Sequence, residues 1–150
     1  MNISDILLGA AIIIAAPAVN RVGEAKAQQI HPDQVVVDSP FVHDPVLAYE
    51  NGKYYLYSTG HGISQMTSAD RKHWTLCREG VLKNHEIPAW THDSVPGFHT
   101  HIWAPDVIHY RNKWYLAYSC STFGKNTSAI GLLSNTSLAN VNGWKDEGCI

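Results

Sequence analysis

The sequence predicts an all-β fold, and three observations support this prediction. From about Asp33 onward, short apolar runs alternate with Pro, Gly and Asn, and no long stretch has the 3.6-residue period of a helix. The pair Asn51-Gly52 lies between two such runs, which is typical of a tight β-hairpin. The same hairpin pattern returns later in the chain. Repeated antiparallel units of this kind indicate blades of a β-propeller.

The first repeat contains four strands in order. The β-branched run Val35–Val37 precedes them as a short strand of its own. Val46–Glu50 and Lys53–Ser58 then flank Asn51-Gly52, whose residues accept the positive φ angles of a type I′ turn. A further strand follows, and Thr67–Asp70 predicts a turn that leads to a strand containing Trp74.

The second repeat has the same order. Val107–Leu116 resembles Val46–Leu56 with one turn residue fewer, and Leu133–Thr136 leads to Trp144 in the same way. We count about two blades, whereas a closed propeller needs roughly four to eight. Because residues 143–150 are expected to end in mid-blade, we interpret the chain as a truncated propeller.

The N-terminal residues 1–27 are predicted to be a secretory signal peptide. Ile6–Val19 is an almost uninterrupted apolar run, shorter than the ~20 residues of a membrane span, and Ala25-Lys26-Ala27 offers a cleavage site. Met1–Asp5 lacks the usual positive charge, so an uncleaved anchor is the alternative. We therefore expect a secreted or periplasmic protein with no membrane contact after cleavage.

Composition narrows the classes of ligand. The formal net charge of −2 gives no electrostatic reason to bind nucleic acid or an anionic membrane. Five Trp and seven Tyr suit either β-sheet cores or the stacking of sugar rings. Three cysteines occur without a CxxC motif, so one disulfide is possible but the sequence does not choose the pair.

One carboxylate is a candidate for catalysis. Asp44, in His43-Asp44-Pro45, lies just before the predicted innermost strand of the first blade, where it would point into the axial cleft and could activate water. The residue before a proline prefers an extended conformation, which we expect for Asp44. The alternative is an Asp that caps a turn.

Four motifs occur in a fixed order: His43–Pro45, Trp103–Val107, Ser121–Gly124 and Thr127–Gly131. In this order the chain resembles glycoside hydrolase family 43, and within it the endo-1,5-α-L-arabinanases. The resemblance implies a five-bladed β-propeller, of which residues 28–150 would be the N-terminal part. It further implies inverting hydrolysis of internal α-1,5 bonds in arabinan, a side chain of pectin.

The resemblance also implies roles for individual residues. Asp44 would be the general base, while the general acid Glu and a pKa-modulating Asp would lie on later blades, beyond Ile150. Trp103 and Phe123 would form an aromatic wall for the sugar, and His43 would hold the base in place. The implied substrate contacts are His43, Trp103, Asp106, Phe123, Asn126 and Ser128.

No metal site is expected from the residues of this chain. His99 and His101 could share one face of a strand, but no Cys or carboxylate completes a ligand set. The chemistry needs no cofactor. The resemblance implies a structural calcium ion in the complete propeller, held by a His of a later blade, and a monomeric state. Two alternatives stay open: a non-catalytic carbohydrate-binding propeller, and a family 43 β-xylosidase or α-L-arabinofuranosidase.

Overall fold

The computed structural model describes residues 35–150, which form two antiparallel sheets. The predicted signal peptide lies outside the described residues. The first sheet has the strand order β1-β5-β4-β3-β2. Its strands are β1 (Val35–Val37), β2 (Val46–Glu50), β3 (Lys53–Ser58), β4 (Ser64–Ser68) and β5 (Trp74–Cys77). The all-β prediction is confirmed.

The second sheet follows the chain in the order β6-β7-β8-β9. Its strands are β6 (Trp103–Tyr110), β7 (Lys113–Ser121), β8 (Ser128–Asn135) and β9 (Lys145–Cys149). The expectation that the last residues end in mid-blade was wrong, because Lys145–Cys149 is the fourth strand of this sheet and pairs with β8.

Within residues 35–150, three short helical segments lie outside the strands. α1 (Thr91–Ser94) and the 3₁₀ turns Lys83–His85 and Val141–Gly143 are each a single turn. No helix was predicted after Asp33, because a segment of three or four residues is too short to produce a helical period in the sequence. Among residues 35–150 no helix is long and apolar enough to cross a membrane.

Both hairpins close with two-residue turns. Asn51 and Gly52 have φ angles of 49° and 81°, as a type I′ turn requires, and Arg111 and Asn112 have 46° and 63°. The second turn was predicted to be one residue shorter. The register pairs Tyr110 with Lys113, as it pairs Glu50 with Lys53 in the first hairpin, so the two turns have equal length and the missing residue belongs to the strand.

The core lies between the sheets. Ala48, Tyr55 and Tyr57 of the first sheet and Leu116 and Tyr118 of the second belong to one buried cluster. Alternate residues of a strand point to opposite faces, so one face of each sheet enters this core.

The two sheets are joined at one edge by a backbone bridge. Gly60 N donates to Ile102 O at 3.0 Å, and Ile102 N donates to Gly60 O at 2.9 Å. At this edge β2 begins, β3 ends and β6 begins. We call it the rim, and define it by residues 43–44, 59–61 and 101–104.

Towards the opposite ends of β2 and β3, Glu50 joins the sheets a second time. Its Oε1 accepts a hydrogen bond from Trp114 Nε1 at 2.7 Å, and its Oε2 accepts from Ser137 Oγ at 2.7 Å and from Leu138 N at 2.8 Å. Burial raises the pKa of Glu50, but these hydrogen bonds together with that from Ala139 N outweigh it, so the pKa lies below its usual value. We call this arrangement the Glu50 clasp.

Candidate active site

Asp44 lies on the rim, two residues before β2, with its side chain exposed. Its φ angle is 50°, so it adopts the left-handed conformation and not the extended one that Pro45 favours. The sequence-based expectation was therefore wrong. Non-glycine residues adopt this conformation rarely, and they do so where the surrounding structure imposes it.

Thr59 supplies the contacts that hold Asp44. Its hydroxyl donates to Asp44 Oδ2 at 2.6 Å, and its backbone N–H donates to His43 O at 3.0 Å. Thr59 was not selected from the sequence, although the hairpin register gives a signal for it. The two-residue turn pairs Glu50 with Lys53 and Val46 with Tyr57, and continuing this register places Thr59 opposite Asp44.

Ala104 connects this pair to the second sheet. Its backbone N–H donates to Thr59 Oγ1 at 2.9 Å, and its φ angle is 44°. It lies in a β-bulge, because Trp103 pairs with Ser119 and Asp106 pairs with Ala117. The bulge opposes two residues to one, so Trp103 and Asp106 lie on the same face of the sheet. Tyr118 lies between their partners Ser119 and Ala117 on β7, and its side chain is buried in the core. Trp103 and Asp106 therefore lie on the face of the sheet that is turned away from the core.

Two aromatic pairs each include a residue of the rim. The rings of Trp103 and Phe123 meet edge to face, with centroids 6.2 Å apart and planes at 69°. The rings of Phe41 and His43 meet similarly, at 5.4 Å and 88°. Phe123 and Phe41 are 86% and 89% exposed, unusual for phenylalanine. Phe41 was not selected from the sequence, since its lone position before His43 carries no motif.

The remaining predicted contacts are dispersed. Asn126 lies in the exposed loop 122–127, which Thr122 closes by donating its N–H to Thr127 O at 3.1 Å. Ser128 begins β8, and Asp106 lies on β6 beyond the bulge; both are exposed. The loop joins the rim through the contact of Phe123 with Trp103. The binding roles of Asn126, Ser128 and Asp106 stay predictions.

A cavity of about 390 Å³ opens beside the rim and is lined by several histidines. The ring of His61 lies 4.1 Å from that of His101 and 6.3 Å from that of His85, whose Nδ1 lies 2.8 Å from His61 O. Nowhere in residues 35–150 do three His, Cys, Asp or Glu side chains converge in a way that could hold a metal ion.

The three cysteines are unpaired in the structure: Cys77 is half-buried, Cys120 buried and Cys149 exposed. Burial, followed by the charges of Asp146 and Cys149, raises the pKa of the Cys120 thiol to about 12. A thiol with this pKa stays protonated and unreactive at neutral pH.

Residues 34–150 match the model of the family "Glycosyl hydrolases family 43". The chain belongs to this family. It is 40% identical over 112 residues to an extracellular exo-α-(1→5)-L-arabinofuranosidase of Cellvibrio japonicus, and 39% identical over 113 residues to an extracellular endo-α-(1→5)-L-arabinanase of Bacillus subtilis. Each match covers 73% of this chain, but only 31% and 34% of the relative.

Solved structures give the same assignment. An exo-1,5-α-L-arabinanase from a bovine ruminal metagenomic library is 49% identical, with a TM-score of 0.68, over 75% of this chain and 37% of that one. The native Bacillus subtilis arabinanase is 38% identical with a TM-score of 0.70, over 75% and 39%. These enzymes are five-bladed β-propellers, so the predicted fold class is confirmed. The chain spans about a third of the length of its relatives.

Proposed function

We propose that the complete protein hydrolyses internal α-1,5-L-arabinofuranosidic bonds of arabinan with inversion, and that Asp44 is its general base. The observation that carries this proposal is the position of Asp44. It is an exposed carboxylate two residues before β2, it is held by Thr59, and the aromatic pair of Phe41 and His43 directly precedes it, in a family 43 chain.

In this mechanism the Asp44 carboxylate accepts a proton from water, and the resulting hydroxide attacks the anomeric carbon. A second carboxyl group protonates the departing oxygen from the other side of the sugar ring. Inverting glycosidases place the two groups about 6.5–9.5 Å apart to leave room for the water. The resemblance assigns the acid and its modulating Asp to later blades, and it also assigns the calcium ion to the propeller axis there.

The test uses a complete five-bladed propeller that contains residues 34–150. Asp44→Ala should lower the rate of reducing-sugar release from debranched arabinan by about 10²–10⁴-fold, because no base remains to activate water. Binding of arabinan, measured by affinity electrophoresis, should be nearly unchanged. An Asp44→Ala protein that hydrolyses arabinan at close to the normal rate would exclude Asp44 as the base. Activity of the 150-residue chain alone would require an acid among its own carboxyl groups.

Exo action is a second candidate. Two of the similar proteins carry exo activity in their names, one at 40% and one at 49% identity. Product analysis separates the two modes: endo cleavage gives a ladder of oligosaccharides early in the reaction, whereas exo cleavage releases one short product from the start. A propeller that binds arabinan without any hydrolysis would instead favour the non-catalytic alternative.

We also propose that the protein is exported. The apolar run Ile6–Val19 and the Ala25-Lys26-Ala27 sequence support a cleaved leader, and both curated relatives compared above are named as extracellular. N-terminal sequencing of the secreted protein should give Gln28 as its first residue.

A further inference from the structure

We propose that Thr59 is a positioning residue whose hydroxyl fixes the Asp44 carboxylate in register with the aromatic wall of the second sheet. The inference rests on the proposed function, because it concerns the same base. It assigns a role to a residue that lies outside the four motifs that carry the family resemblance.

Asp44 must hold its carboxylate in one orientation to act as a base. Its side chain is exposed on a rim and could adopt several rotamers, yet a general base must present one oxygen to water in a fixed place. The Thr59 hydroxyl donates a hydrogen bond to Asp44 Oδ2 at 2.6 Å, which leaves Asp44 Oδ1 to accept a proton from water. The Thr59 N–H holds the neighbouring His43 carbonyl, so both the backbone and the carboxylate are held from one residue.

The Thr59 hydroxyl directs its proton towards Asp44. A threonine hydroxyl has one proton and two lone pairs. Ala104 N–H donates to Thr59 Oγ1 at 2.9 Å and so occupies a lone pair, which leaves the proton for Asp44. A hydroxyl that accepts one hydrogen bond while it donates another is polarised, and this strengthens both hydrogen bonds.

Thr59 also contacts the backbone next to the aromatic wall of Trp103 and Phe123. Ala104 is in the bulge directly after Trp103, whose ring contacts Phe123. One oxygen atom therefore connects the base on the first sheet to the backbone that carries the wall on the second. The sheets are already joined by the Gly60–Ile102 bridge and by the Glu50 clasp. Loss of the Thr59 hydroxyl should therefore leave the fold intact and release the carboxylate.

The experiment compares Thr59→Val, which removes the hydroxyl at nearly constant shape, with Thr59→Ser, which keeps it, in the complete propeller. We expect Thr59→Val to lower kcat by about 10- to 100-fold, the factor that corresponds to a hydrogen bond to a charged group, with KM changed less than about twofold. Thr59→Ser should keep most of kcat. Thr91→Val is the matched control, because Thr91 donates its hydroxyl to Pro88 O at 2.7 Å, outside the rim.

A Thr59→Val enzyme with normal kcat, or a Thr59→Ser enzyme as slow as Thr59→Val, would overturn the proposal. Thr59→Ala is measured in parallel, so that poor folding of one variant does not decide the result. In an Asp44→Asn background, Thr59→Val should cause no further loss, whereas a purely structural role would lower the residual rate again. Failure of the proposed function is recognised separately, by normal turnover of Asp44→Ala.

Discussion

At the scale of single residues, the backbone of Asp44 shows how tertiary contacts override a local preference. The steric effect of Pro45 favours an extended Asp44, but the observed φ of 50° is left-handed. Strain of this kind costs about 1–3 kcal/mol and persists only where neighbours compensate it. Thr59 provides that compensation through two hydrogen bonds. The identity of the candidate base was predictable from the motif, whereas its conformation depended on a partner 15 residues away.

Phe123 gives a prediction at the same scale. Because 86% of its surface is exposed, Phe123→Ala should change the free energy of unfolding by no more than about 0.5 kcal/mol. If the Phe123 ring stacks on arabinose, the Phe123→Ala variant should have a KM for arabinan about 2- to 10-fold higher than the wild type, by analogy with the energy of an aromatic pair. Phe123→Tyr, which keeps the ring, should behave as the wild type. Thermal melting checks the expected stability, and steady-state kinetics check the expected KM. An unchanged KM in Phe123→Ala would show that Phe123 is not part of the aromatic wall.

At the scale of elements, the hairpins were predictable and the bulge was not. The Asn51-Gly52 pair determines its own turn, and the bounds of β2 and β3 match the prediction from this signal. The bulge at Ala104 has no comparable local signal, since Ala rarely adopts a φ of 44° and its partner, Thr59, is on the other sheet. The three helical turns were missed because a period cannot be observed over three or four residues.

Two glycines provide a matched test of element geometry. A Cβ at Gly52 would meet no atom within 4 Å, so Gly52→Ala costs only the strain of a φ of 81°, about 1–2 kcal/mol. A Cβ at Gly131 would lie 2.3 Å from the Tyr118 ring and 2.6 Å from the Trp90 ring. Gly131→Ala should therefore destabilise the fold more, by about 3 kcal/mol. Urea unfolding of both variants measures the two losses of unfolding free energy. Equal losses would contradict the close packing of Tyr118 and Trp90 against Gly131 of β8.

At the scale of the whole molecule, the two sheets are joined by polar contacts at both ends and an apolar core between them. The bridge of Gly60 and Ile102 closes the rim, and the Glu50 clasp closes the side opposite. The propeller repeat predicted the two sheets, because each repeat shows its own hairpin. Nothing local indicated the clasp, since Glu50 is an ordinary strand-end residue whose partners lie 64 to 89 positions away.

The clasp predicts a pH dependence of stability. The pKa of Glu50 is lowered in the folded state, so its contribution is complete above the unfolded value of 4.5 and is lost as the pH falls through the lower folded value. At pH 7, Glu50→Gln should lose about 1–3 kcal/mol, because hydrogen bonds to a charge become bonds to a neutral amide. Denaturant titrations from pH 7 to pH 3 should show the two proteins converging below pH 4.5. A constant difference across this range would show that the charge is not involved.

The long separation of the clasp also has a consequence for synthesis on the ribosome. The ladders of the first sheet, Val35 to Cys77, can form as soon as those residues emerge, but the carboxylate of Glu50 must wait for Trp114 and then for Ser137 to Ala139. Counted from Cys77, the last residue of the first sheet, Trp114 is 37 residues and Ala139 is 62 residues further along the chain, and at about 5–20 residues per second these take roughly 2 to 12 s. During this interval the nascent first sheet has a hydrated Glu50 and an uncovered face with Ala48, Tyr55 and Tyr57, so chaperones have a defined period in which to bind it.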